Sequence, residues 1–199
     1  MILSNRCKQQ SFLIEPMTLH RYPMLAILLH WLIALLLIGS FTMGLRMVGM
    51  DFSPGKINTY AYHKWLGVTI FGLVVVRFFY RQFNPPPALP SGMPTWQKNA
   101  SFLSHSLLYV LLFVVPLSGW IYSSAAGVPT VPFGQPALQL PDLLQKDPDL
   151  ATALKQVHFV LTRLLMVLIF LHMAAALKHH WWDKDGVMHR MLPKVKFWS

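Results

Sequence analysis

Four stretches of this chain are apolar without the regular polar interruptions of a soluble amphipathic helix: about Met24 to Leu45, Tyr62 to Phe79, Ser106 to Ala126 and Val157 to Leu177. Each approaches or reaches the roughly 17 to 25 helical residues that a hydrocarbon layer requires. The second is the shortest, and tilt or snorkelling ends must complete it. Between the second and third runs, N-P-P-P-A-L-P-S-G-M-P from Asn84 to Pro94 is too rich in proline for a helix and predicts an extended connection. The third connection is the longest and carries Pro129, Pro132, Pro136 and Pro141. Asp147 followed by Pro148 has the form of an N-cap with proline at the first helical position, so the fourth helix should begin ahead of the membrane. Pro116 falls inside the third run, where it should kink the helix. With no internal repeat and no domain linker, the pattern predicts an all-α fold, a four-helix transmembrane bundle running up-down-up-down.

Composition agrees: 54% of the 199 residues are hydrophobic and 12% charged, against roughly a quarter charged in soluble domains. The net charge of +10 then reports topology. Four spans put the N-terminus, the second connection and the C-terminus on one side. That side holds Arg6, Lys8, Arg21, Arg77, Arg81, Lys98, Lys178, Lys184, Arg190, Lys194 and Lys196, against Arg46, Lys56, Lys64, Lys146 and Lys155 on the other. Excess Lys and Arg marks the cytoplasmic side, so both termini are expected in the cytoplasm. The basic balance therefore points to orientation in a lipid membrane, and not to nucleic acid.

Within these apolar runs stand His30, His63, His158 and His172, and ionisable residues at membrane depth are functional candidates by default. His158 and His172 share the fourth helix, separated by about 21 Å along the axis and about 40° around it. One helix thus offers two stacked ligands, one near each membrane surface. Topology pairs them: His63 and His158 begin their helices on the outer side, while His30 and His172 lie at matching depth on the inner side. Residues four positions on share a helix face with each ligand, and Ala34, Gly67, Thr162 and Ala176 are small enough there to admit a porphyrin plane. The competitor His105 is followed at that spacing by bulky Tyr109. Two haems, each with two axial histidines, are the expected occupants. Cys7 is the only cysteine and belongs to no C-x-x-C-H sequence, so the haems should be b-type, without thioether links.

Arg163, five residues after His158, is a candidate partner for a haem propionate, with a snorkelling role as the alternative. Arg77, fourteen after His63, would reach the inner haem's propionates or a quinone, or else cap the membrane edge. His105, Arg77, His179 and His180 are candidates to supply protons or hydrogen bonds to a quinone. His20, His179, His180 and His189 lie in flanks where solvated histidines are ordinary, the eleven methionines are scattered as packing residues, and the tryptophans flank span ends as interface belts do.

H-W-L-I-A-L-L-L-I-G at His30, H-K-W-L-G at His63, R-F-F-Y-R at Arg77, L-L-F-V-V-P-L-S-G after His105 and L-H-M-A-A-A-L-K-H-H-W-W-D-K-D-G-V-M-H-R-M-L-P from Leu171 resemble the bacterial cytochrome b561 family, from about Leu19 to Lys196. The likeness is greatest to its small four-helix inner-membrane members, which include superoxide oxidase. The resemblance implies that His30, His63, His158 and His172 are the axial ligands of two b-type haems. It also implies an oxidoreductase that passes electrons between a periplasmic donor, small molecule or protein, and membrane ubiquinone. The alternatives are a haem-bearing anchor subunit of a dehydrogenase or hydrogenase complex, marked by a stable co-purifying partner, and a haem-free metal or proton transporter, marked by a colourless protein.

Residues 1–16 precede that likeness, show no amphipathic period and lack the features of a cleaved signal peptide. They are expected to be a disordered extension ahead of a membrane domain at 17–199. A chain initiated at Met17 should accordingly retain its full haem content, measured by pyridine haemochrome per chain. Loss of haem on this truncation would show that the extension takes part in the site.

Overall fold

The computed structural model describes residues 21–193; the extension at 1–16 and Cys7 lie outside them. Four helices make up the bundle: α1 Met24–Val48, α2 Pro54–Phe83, α3 Thr95–Ala125 and α4 Pro148–Lys178. Each is long and apolar enough to cross a membrane. No strand occurs among the described residues.

The helices outrun the apolar stretches that predict them. α2 begins at Pro54 because Ser53 caps it, its side chain accepting from Lys56 N, with proline in the first turn. The second span is therefore among the longer helices. α3 begins at Thr95, directly after the proline-rich connection, and continues through Pro116. At the start of α4, Asp147 accepts from the backbone N–H of Asp149 and Leu150, as the Asp-Pro pair predicts.

α1 packs along α2, α2 along α3, and α3 along α4, whereas α4 makes no extended contact with α1 or α2. The most buried cluster comprises Ile33 of α1 with Ile70 and Val74 of α2, surrounded by Leu36, Leu37, Leu66, Leu73, Tyr109, Leu112 and Phe113. All of these belong to α1, α2 or α3. α4 thus stands across from a three-helix core, and its outward side chains such as Phe170 and Leu171 are exposed, as a lipid-facing helix requires.

One end of the bundle, the termini end, carries the start of α1 and the end of α4; the other, the loop end, carries the long α3–α4 loop. That loop includes two short 3₁₀ turns, Pro132–Gly134 and Pro136–Leu138. Lys64 Nζ donates to Pro129 O at 2.8 Å, Trp65 Nε1 to Val131 O at 2.7 Å and Trp120 Nε1 to Pro141 O at 3.0 Å. The loop therefore lies as a fixed cap over that end, held by the amphipathic tryptophans and by a lysine.

Candidate haem site between the helices

At the loop end, α2 and α4 bring His63 and His158 to a ring-centroid separation of 6.3 Å. At the termini end, α1 and α4 bring His30 and His172 to the same 6.3 Å. A metal–imidazole nitrogen bond is about 2 Å and the nitrogen lies about 1.1 Å from the ring centre, so two imidazoles on opposite sides of one metal have centroids about 6.3 Å apart. Both pairs match that spacing. His105 also stands near His172, at 5.3 Å, too short for opposed ligation. Tyr109, one turn beyond His105, belongs to the three-helix cluster, so that face of α3 is filled.

The loop-end rings are oriented individually. His63 Nδ1 lies 3.0 Å from Ser40 O and 3.3 Å from Ser40 Oγ. His158 Nδ1 lies 3.1 Å from Val115 O and 2.9 Å from Ser118 Oγ. A carbonyl can only accept, so in both rings Nδ1 carries the proton and Nε2 keeps its lone pair for a metal. Ser118 donates its own hydroxyl proton to Val115 O at 2.7 Å. Gly119 makes this approach possible: a Cβ there would stand 3.0 Å from His158 Cε1. Beside His63, by contrast, a Cβ on Gly67 would meet nothing within 4 Å, leaving an open face one turn from the ligand. Two opposed imidazoles, a fixed tautomer and open space beside the ring fit a flat macrocycle with axial histidines.

The sequence model described as prokaryotic cytochrome b561 matches residues 21–194. The chain belongs to that family. A relative named cytochrome b561 homolog 2, from Escherichia coli, is 35% identical over 179 residues, covering 89% of this chain and 94% of the relative. Probable superoxide oxidase CybB of Yersinia pestis is 30% identical over 179 residues, 88% of this chain and 98% of that protein. Cytochrome b561 homolog 1 of Escherichia coli is 25% identical over 182 residues, 89% and 100%. As a cytochrome b561 the chain is a membrane electron-transfer protein of a b-type haem family.

The other predicted residues fall in different places. Arg77 Nη1 donates to Ala26 O at 2.6 Å, one helical turn before His30, so Arg77 joins α2 to α1 beside the termini-end pair. Arg163 lies over the Phe159 ring at 4.8 Å and is exposed; it stands about 140° around α4 from His158. His179 is bound to Asp185 at 2.7 Å, while His180 and His189 have ring centroids 5.1 Å apart. With His179 they line a hollow of about 250 Å³ at the termini end.

Ser40, Ser118 and Gly119 escape a reading of ionisable residues. Their signal lay in the small-residue pairs Gly39-Ser40 and Ser118-Gly119 inside otherwise bulky spans. Gly119→Leu is expected to push the His158 ring from its place and reduce haem content per chain by about half, whereas Gly72→Leu, with open space around it, should leave the content unchanged. Redox titration with haem analysis measures both.

Proposed function

We propose that this cytochrome b561 holds two b-type haems, His63 with His158 on the periplasmic side and His30 with His172 on the cytoplasmic side, and moves electrons from a periplasmic donor to ubiquinone. The observation that carries this is the equal 6.3 Å spacing of two histidine pairs at opposite ends of one helix. The excess of basic residues at the termini end supports both termini in the cytoplasm of the bacterium.

When bound, the haems supply one-electron relay sites across the membrane. Each histidine pair would hold one haem iron from two helices and leave no place on it for a small molecule, so the chemistry the group would supply is electron exchange at an exposed edge. Superoxide is the proposed donor, in keeping with the 30% identity to a protein named as a probable superoxide oxidase. Two superoxide anions would be oxidised to two dioxygen molecules while one ubiquinone takes up two electrons and two protons to become ubiquinol. Lys64 follows His63 directly and is anchored to the loop carbonyls, placing a fixed positive charge beside the periplasmic site. His180 and His189, around the hollow at the other end, are placed to relay the two protons from the cytoplasm. Arg77 is placed for an anionic group beside His30; Arg163 would have to leave Phe159 to meet a propionate.

His63→Ala or His158→Ala should remove one haem, and His30→Ala or His172→Ala the other, each leaving about one per chain. Should His105→Ala remove a haem while His30→Ala leaves both, the ligand pairing is wrong.

Superoxide should reduce the purified protein rapidly and ubiquinone should reoxidise it. The first rate is expected to fall as added salt contracts the Debye length from about 30 Å to about 8 Å, and to fall several-fold in Lys64→Gln. Indifference to superoxide, with reduction instead by a tightly co-purifying subunit, would identify an anchor of a larger complex.

A further inference from the structure

Beyond α4 the chain returns across the termini end and binds α1. After Lys178 it makes one π-helical turn, His179–Asp183, then reverses through Lys184 at φ 48° and Gly186 at φ 75°. The turn is locked by Lys178 to Asp183, by His179 Nδ1 to Asp185 at 2.7 Å and by Val187 N to Asp185 Oδ1 at 3.1 Å. The carbonyls that follow are taken by the entry of α1. Tyr22 N donates to Arg190 O at 3.3 Å and Trp31 Nε1 to Met191 O at 2.8 Å. Arg190 Nη1 donates in turn to Ala88 O of the α2–α3 connection.

This strap compensates for two absences. α4 has no extended contact with α1, although the cytoplasmic histidine pair spans those two helices. Moreover, among the described residues neither His30 nor His172 has a hydrogen-bond partner of the kind that orients His63 and His158. What fixes the cytoplasmic pair must therefore be the placement of the helices themselves. Trp31 is the point where strap and ligand meet: its indole is bonded to Met191 O, and its ring stands edge-on to His30 at a centroid distance of 5.5 Å.

We propose that Trp31 is a positioning residue for His30, held by the strap 179–192 through its bond to the Met191 carbonyl, and that the strap sets the geometry of the cytoplasmic haem site alone. This rests on the ligand pairs proposed above.

Trp31→Phe retains an aromatic ring and removes only the N–H. In the purified holoprotein it should keep about two haems per chain. One of the two low-spin electron paramagnetic resonance signals should shift, with its reduction potential, while the other overlays the parent's. Release of that same haem to apomyoglobin should quicken several-fold. Asp185→Asn, which loosens the turn without touching α1, should shift the same signal, identified by its absence in His30→Ala. Unchanged signals in Trp31→Phe, or equal shifts of both, would overturn the positioning role. Two unshifted signals in His30→Ala would instead overturn the ligand pairing, and this inference with it.

Discussion

Everything in this bundle follows from α4 being held off α1 and α2. Lipid tails are as apolar as leucine, so no hydrophobic force decides whether two membrane helices touch; close packing and interhelical hydrogen bonds do. α1, α2 and α3 have such packing in the cluster around Ile33, Ile70 and Val74, and α4 has it only along α3. The two histidine pairs then cross the remaining gap at one common separation. A cofactor held from two helices binds only the assembled state and so contributes its binding free energy to assembly. A haem held between these pairs would be as much a packing element as an electron carrier, on the side of α4 that the three-helix core leaves free.

The two ends solve the placement of a ligand differently. At the loop end each ring is tethered through Nδ1 to a backbone carbonyl of a neighbouring helix, α1 for His63 and α3 for His158. Such bonds fix the tautomer and raise the basicity of the nitrogen that faces the metal. At the termini end the rings have no such tethers among the described residues, a third histidine ring stands 5.3 Å from that of His172, and Arg77 brings a cation to the turn before His30. Hydrogen bonding to ligands and nearby charge are the protein's means of setting a haem potential. One chain therefore presents two unlike environments around the histidine pairs along one helix.

Much of this was legible from residues alone, for identifiable reasons. Apolar run length announced the four helices, and Asp147-Pro148 announced the start of α4. The same signal stands at Ser53-Pro54, where Lys56, Asn58 and Thr59 break the apolar run that marks a span, yet the cap forms there too. The histidine pairs could be matched by depth because helix rise converts sequence number to height. The tethers could not: a serine within a span reads as a small packing residue until the fold brings Ser40 to His63 and Ser118 to His158. Nor could the strap, since its contacts to α1 are made by backbone carbonyls, which carry no residue-type signal.

Lys64 shows how structure alters the meaning of a charge. In the sequence Lys64 is one of the basic residues counted on the outer side. Folded, its ammonium bonds to Pro129 O, Val128 O and Ser123 Oγ, joining α2 to the loop that caps that end of the bundle. The charge survives those bonds, because carbonyl and hydroxyl oxygens solvate it without neutralising it. These bonds define its position, so its field at the loop end carries less of the side-chain ordering cost that a free lysine would. A single residue thus ties the loop to α2 and brings a positive charge to the loop end of the bundle.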